Sequence, residues 1–161
     1  MPPEPDRTVV DIRVESPLWN GADMRDVAER AARAALAAVR PDARDAEISL
    51  VLADDAFQRR LNREWRGRDA PTNVLSFPAA SSAHGHLGDV VLAYETVARE
   101  ARAEGKPFDH HVAHLVVHGV LHLVGHDHGT DEQADAMEAL EIEILARLGV
   151  PNPYEEGVTG A

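Results

Sequence analysis

The feature that most constrains this chain is a run of histidines at residues 118–128, HGVLHLVGHDH. His118 and His122 are four residues apart, so on a helix they share one face, about 6 Å apart along the axis. Gly125 then ends the helix, because glycine readily takes the left-handed conformation of a C-terminal turn. A histidine beyond that turn can approach the same ion. The spacing therefore predicts a metal site at the C-terminal end of a helix.

The third ligand has two candidates. Histidines recur every four residues from His110 to His126, but three successive ones span about 12 Å of helix, whereas zinc–nitrogen bonds are about 2.0–2.1 Å. The third ligand must therefore come from beyond the helix, which leaves His126 or His128. The spacing with His128 matches the histidines and glycine of the zinc-protease pattern H-E-x-x-H-x-x-G-x-x-H. We therefore predict that His118, His122 and His128 bind one Zn²⁺ per chain.

Other interpretations of this run compete with a catalytic zinc site. Gly119 stands where the protease pattern has its glutamate, the general base, so the usual machinery for peptide hydrolysis is missing. A histidine-rich helix without metal is one alternative. A structural zinc is another, although such sites usually have four ligands rich in cysteine, and this chain has no cysteine. Nickel, iron and manganese stay as alternative ions.

Two blocks of the sequence resemble the YbeY family, described as metal-dependent single-strand endoribonucleases that mature rRNA. The first block is RGRDAPTNVLSFP at residues 66–78, and the second is the histidine run at 118–128. The stretch LGDVV at 87–91 and the acidic stretch at 131–141 also fit the family. The resemblance covers residues 8–154.

This resemblance implies roles for individual residues. The catalytic residues would be Arg66, which would bind the scissile phosphate, and His118. The family's three metal histidines correspond to His118, His122 and His128. The chain departs from the family at His126, where a tyrosine is usual, and the histidine there is a fourth candidate ligand beside the ion.

Four polar residues are further candidates for substrate contacts or for orienting a ligand. Asn73 and Ser76 would hydrogen-bond the substrate or fix the turn before a strand. His126 would face the substrate or the metal ligands. Asp127 would orient an imidazole or serve as a turn residue.

Composition agrees with one domain spanning residues 1–161, with an ordered core at about 8–151 and frayed tails. A chain of 161 residues with 44% hydrophobic content can bury one core. No stretch approaches the roughly 20 apolar residues of a membrane span, and the N-terminus lacks a signal-peptide pattern. The absence of cysteine suits a reducing compartment. We therefore expect a cytoplasmic protein without a membrane partner.

The net charge of −12 is unfavourable for binding a polyanion such as RNA. The charge is uneven, however, because nearly all of the excess acid lies after residue 70. Five arginines lie between residues 59 and 68. They form either a local phosphate-binding patch or a solvated helix face.

Strand and helix patterns predict an α+β fold, a small mixed sheet of about four strands covered by about five helices. The predicted strands are 8–14, 47–52, 74–77 and 89–92, and the predicted helices are 24–39, 55–65, 94–104, 109–124 and 131–147. The segment 81–86, which carries two further histidines, is predicted to be a mobile loop.

The predicted function is a zinc-dependent endoribonuclease specific for single-stranded RNA. The resemblance implies that its tasks are 16S rRNA 3′-end maturation and ribosome quality control. It also implies that its partner is the small ribosomal subunit. The alternatives are a zinc metallopeptidase-like hydrolase and a non-catalytic assembly factor stabilised by zinc. The sequence leaves open the nucleophile, either activated water or the substrate's 2′-hydroxyl, and the oligomeric state.

Overall fold

The computed structural model describes residues 8–21, 23–40, 45–67, 72–79 and 85–155. Within these ranges the strands are β1 (Val9–Val14), β2 (Glu47–Ala53), β3 (Val74–Pro78) and β4 (His86–Ala93). The helices are α1 (Arg25–Val39), α2 (Asp55–Arg66), α3 (Tyr94–Ala103), α4 (Phe108–Leu123) and α5 (Asp131–Arg147), and a short 3-10 helix spans Pro17–Gly21. The predicted α+β fold is confirmed. None of the described helices is both long and apolar enough to cross a membrane.

The four strands form one mixed sheet in the order β1-β2-β4-β3. β2 runs parallel to both β1 and β4, while β3 runs antiparallel to β4 at the edge. Parallel neighbours need long crossover connections. α1 lies in the connection from β1 to β2, whereas α2 and β3 both lie in the connection from β2 to β4.

The sheet buries apolar side chains on both faces, because successive residues of a strand point to opposite sides. Ile48 and Leu50 of β2 are fully buried in the larger core, which also contains residues of α1, α4 and α5. Val51 follows Leu50 in β2 and points to the opposite face of the sheet. There it belongs to a smaller cluster packed against Phe57 and Leu61 of α2. The helix that carries the histidines therefore lies in the larger core.

Capping side chains stabilise the starts of α2 and α5. The Asp54 carboxylate accepts a hydrogen bond from the backbone N–H of Phe57 at 2.8 Å and so caps α2. Thr130 and Gln133 form a reciprocal capping box at the start of α5. Each of these bonds satisfies a backbone N–H that has no partner within its own helix.

A glycine lets α4 approach the sheet closely. A Cβ atom on Gly119 would lie only 2.7 Å from Cγ1 of Val90 and 3.2 Å from Oγ of Ser76. The Ser76 hydroxyl also donates a hydrogen bond of 2.9 Å to the carbonyl oxygen of Gly119. The histidine helix is thus held in register with β3 and β4.

The structure differs from the predicted bounds by more than one residue in two places. His86 is the first residue of β4 and pairs with Glu47, so it does not belong to a loop; residues 81–84, including His84, lie outside the described residues. The packed structure also continues past residue 151, since Lys106 Nζ donates to the carbonyl oxygen of Pro153 at 2.9 Å. Both differences depend on partners distant in sequence.

Candidate metal centre

α4 ends in a turn that redirects the chain toward the two helical histidines. Gly125 has a φ of +100°, a conformation that favours glycine. Its N–H donates to the carbonyl oxygen of His122 at 3.1 Å, and the N–H of His126 donates to that of Leu121 at 3.0 Å. This pair of bonds is a Schellman motif. The predicted helix end at Gly125 is therefore found in the structure.

The turn brings His128 beside His118 and His122. The ring centroids are 4.7 Å apart for His118 and His122, 5.0 Å for His122 and His128, and 5.6 Å for His118 and His128. Each ring offers a nitrogen within 4.8 Å of the nitrogens of the others. Zinc–nitrogen bonds are about 2.0–2.1 Å long, so nitrogens this close to one another are candidate ligands of a single ion.

A buried carboxylate orients His118. Nδ1 of His118 lies 2.9 Å from Oε2 of Glu141, a residue of α5 that is only 1% exposed. A hydrogen bond from Nδ1–H to this oxygen fixes the tautomer and leaves Nε2 free as a ligand, an arrangement common among metal-binding histidines. Glu141 was not among the predicted site residues. Its signal in the sequence is a charged residue four positions after the core residue Met137.

Three hydrogen bonds keep Glu141 ionised. His114 Nε2 lies 2.7 Å and the Tyr154 hydroxyl 2.5 Å from Oε1. Burial alone would raise the pKa of Glu141, but the hydrogen bonds from His114, His118 and Tyr154 outweigh it and lower the pKa to about 2. Burial and the hydrogen bond to Glu141 raise the pKa of the Tyr154 phenol, so this phenol is a hydrogen-bond donor.

The donor set of this group fits zinc. Burial, reinforced by the nearby His118 and His128, lowers the pKa of His122, which favours the neutral imidazole that binds metals. In the described part of the chain the group consists of His118, His122 and His128 alone. Three imidazoles, one of them oriented by a carboxylate, leave one coordination position open, as catalytic zinc sites do.

Comparison with known proteins identifies the family of this chain. The model of the family "Endoribonuclease YbeY" matches residues 13–149. The chain belongs to this family. A protein named "Endoribonuclease YbeY" from Bradyrhizobium sp. (strain BTAi1) is 50% identical over 165 residues, covering 97% of each chain. One of the same name from Azorhizobium caulinodans is 53% identical over 151 residues, covering 90% of this chain and 95% of the relative.

The fold also matches a solved structure. The solution structure of a Thermotoga maritima protein aligns with a TM-score of 0.57 at 23% identity, covering 94% of this chain and 99% of that one. The family model and the named relatives, rather than this likeness of fold, confirm the resemblance to the YbeY family drawn from the sequence.

Two residues of the YbeY-family turn lie beside the centre without joining it. His126 is not part of the histidine group; it lines a surface cavity of about 430 Å³ together with Arg40 and Leu87. Asp127 Oδ1 accepts the backbone N–H of His128 at 2.7 Å and lies 3.6 Å from Nδ1 of the same residue. Asp127 therefore contacts both the turn and the imidazole.

Asn73 and Ser76, in the first YbeY-family block, make contacts within the fold. The Asn73 side chain donates from Nδ2 to Glu100 at 3.0 Å and accepts the backbone N–H of Val74 at 2.6 Å. The Ser76 hydroxyl donates a hydrogen bond to the carbonyl oxygen of Gly119 in α4, as described above. Arg66 is the last residue of α2, and its side chain lies outside the described part of the structure. The substrate roles of these three residues stay predictions.

A second group of carboxylates and histidine lies near the start of α4. Glu100, Glu104 and His111 place potential ligand atoms within 4.8 Å of one another. His111 Nε2 is hydrogen-bonded to Glu100 at 2.9 Å, and the Lys106 ammonium lies 2.8 Å from Glu104. These carboxylates are thus partnered by protein groups.

Proposed function

We propose that this protein is a zinc-dependent endoribonuclease that cleaves single-stranded RNA during rRNA processing. The observation that carries the proposal is the convergence of His118, His122 and His128, backed by Glu141, in a member of the Endoribonuclease YbeY family. The name shared by its relatives supports RNA as the substrate. We extend the proposal to 16S rRNA 3′-end maturation and ribosome quality control on the small subunit, in the cytoplasm.

The proposed mechanism assigns separate tasks to the side chains. His118, His122 and His128 would hold the ion through ring nitrogens, with Glu141 keeping Nε2 of His118 directed toward it. Zinc held there would supply positive charge that polarises a phosphate oxygen and lowers the pKa of water. Arg66 would bind the scissile phosphate and stabilise the negative charge that develops in the transition state.

The position of Gly119 counts against the peptidase alternative. A Cβ atom there would point at Val90 and Ser76 of the sheet, so a side chain at this position is directed into the core. The glutamate that acts as general base in zinc peptidases therefore has no equivalent at this position, and no room for one exists in this packing.

Metal analysis combined with an RNA cleavage assay tests the proposal. The purified full chain should contain about one zinc equivalent and should lose cleavage of single-stranded RNA when a chelator is added. His118→Ala, His122→Ala and His128→Ala should each lower bound zinc well below one equivalent. His110→Ala is the matched control, because His110 lies on the first turn of the same helix, outside the histidine group. Full zinc occupancy in all three ligand variants would refute the ligand assignment.

A second experiment separates the chemistry from metal binding. Arg66→Ala should retain zinc and fold while cleavage of single-stranded RNA falls about 100-fold or more, because one charged contact in the transition state is lost. Arg147→Ala is the control, since Arg147 forms an exposed ion pair with Glu143 at the far end of α5. Unchanged turnover by Arg66→Ala would reject its role. Casein incubated with the same preparation should stay intact, and its digestion would favour the peptidase alternative.

A further inference from the structure

The segment after α5, residues 150–154, folds back onto α4. The N–H of Val150 donates to the carbonyl oxygen of Leu145 at 2.9 Å, which turns the chain at the end of α5. Lys106, between α3 and α4, then donates to the carbonyl oxygen of Pro153 at 2.9 Å. The N–H of Tyr154 donates to the side chain of Asn152 at 2.8 Å. These bonds fix the backbone from which the Tyr154 side chain extends.

The Tyr154 side chain reaches the carboxylate behind the candidate metal centre. Its ring lies edge-on to that of His114, with centroids 5.4 Å apart and planes at 84°. Its hydroxyl and Nε2 of His114 both donate hydrogen bonds to Oε1 of Glu141. The other oxygen, Oε2, accepts a hydrogen bond from Nδ1 of His118. Three donors thus share the two oxygens of one buried carboxylate, and together they set the plane of that carboxylate.

We propose that Tyr154 is a positioning residue for the metal centre, acting through Glu141 to hold His118 with Nε2 directed toward the ion. The inference rests on the proposed function, because it assumes that His118 is a metal ligand. Without the hydroxyl, Oε1 of Glu141 would accept only the hydrogen bond from His114. A buried carboxylate with an unfilled acceptor site raises the free energy of the folded state. The carboxylate is then freer to rotate, and His118 loses part of its fixed orientation.

Zinc affinity of the full chain measures this effect directly. Tyr154→Phe removes the hydroxyl and keeps the ring, and it should raise the zinc dissociation constant about 10-fold, the lower end of the 10–100-fold range for groups that orient metal ligands. Glu141→Gln should fall higher in that range. The matched control is Tyr94→Phe, because Tyr94 packs against Trp19 and Phe108, away from Glu141. Competition with a chromophoric chelator gives the dissociation constants of the wild type and of the three variants.

Two further measurements separate positioning from general loss of stability. Tyr154→Phe combined with Glu141→Gln should bind zinc no more weakly than Glu141→Gln alone, because the hydroxyl is proposed to act only through that carboxylate. In the metal-free protein, histidine ring ¹⁵N NMR should show His118 protonated at Nδ1 in the wild type and as a mixture of tautomers in Tyr154→Phe. Additive losses, or an unchanged tautomer, would overturn the inference.

The outcomes distinguish this inference from the proposed function. If the wild-type chain binds no zinc, the proposed function fails and the inference fails with it. If the wild type binds zinc and cleaves RNA while Tyr154→Phe retains wild-type affinity, only the inference fails. Lys106→Met provides a second test, because it loosens the segment at Pro153 without touching Glu141. It should weaken zinc binding in the same direction, and wild-type affinity in this variant would also contradict the inference.

Discussion

Gly119 decides how closely the histidine helix meets the sheet, and its substitution gives a direct test. In Gly119→Ala, the added methyl group would overlap Val90, whose Cγ1 atom lies 2.7 Å from the position that the new Cβ would take. Overpacking costs about 1–3 kcal/mol, whereas the gain in helix propensity is at most about 1 kcal/mol. We therefore expect a net loss of about 1 kcal/mol in the free energy of unfolding, measured by urea denaturation.

The matched control for this substitution is Gly129→Ala. A Cβ atom on Gly129 meets its nearest atom, Oε1 of Gln133, at 3.4 Å, and the backbone there does not need a positive φ. This variant should stay within about 0.5 kcal/mol of the wild type. Equal stability of the two alanine variants would show that the contact between α4 and the sheet is not tight.

His126 and His128 offer a comparison of neighbouring residues with opposite expected behaviour. His126→Tyr should retain near-stoichiometric zinc and measurable RNA cleavage, because His126 lines the cavity beside Arg40 and lies outside the histidine group. His128→Tyr should lose both, since it removes an imidazole from that group. Elemental analysis of the two purified variants checks this, and loss of zinc from the first with retention by the second would reverse the assignment.

At the scale of whole helices, α5 is fixed to α4 by a charge as well as by apolar packing. Met137, Ile144 and Leu145 are buried, and Glu141 occupies the same buried face. Its hydrogen bonds to His114 and His118 join the two helices. The contact between α4 and α5 therefore depends on the ionisation of a carboxylate.

This dependence predicts an acid-sensitive stability in the metal-free protein. The folded state lowers the pKa of Glu141 from 4.5 to about 2, so its contribution is fully present above about pH 4.5 and is lost as the pH falls toward 2. The contribution is at most about 3 kcal/mol. Urea denaturation at about pH 6 and about pH 3 should show a smaller fall in unfolding free energy for Glu141→Gln than for the wild type.

Glu143→Gln serves as the control for acid sensitivity. Glu143 lies on the exposed face of the same helix and pairs with Arg147 at 2.8 Å. Exposed pairs of this kind contribute little to stability. The fall in unfolding free energy on acidification should therefore be the same in this variant as in the wild type. If the unfolding free energy of Glu141→Gln fell as much as that of the wild type, the carboxylate would not be a pH-dependent link between α4 and α5.

The sequence predicted the bounds of the helices better than it predicted which side chains of different elements contact one another. Helices α3, α4 and α5 were placed within one residue at each end, because caps such as Thr130 and turns such as Gly125 act over a few residues. Glu141 and Tyr154 were missed as members of the site. Their importance arises from contacts 13 to 40 residues away in sequence, which no local pattern encodes.

For the whole molecule, the larger core contains none of the three histidines of the candidate metal centre. The larger core joins both β2 and β4 to α1, α4 and α5, and the histidine group lies at the end of α4. We therefore expect a chelator to abolish RNA cleavage while far-UV circular dichroism stays unchanged at room temperature. Unfolding on removal of zinc would instead support the assembly factor stabilised by zinc.

The strand order β1-β2-β4-β3 leaves β1 and β3 at the edges of the sheet. An open strand edge invites pairing with a second chain, which can seed aggregation. β3 is only five residues long and ends at Pro78, which has no N–H to donate. β1 carries the exposed charged residues Asp11 and Arg13. Both edges thus carry features that discourage strand-to-strand association, which helps the molecule to stay dispersed when it is concentrated.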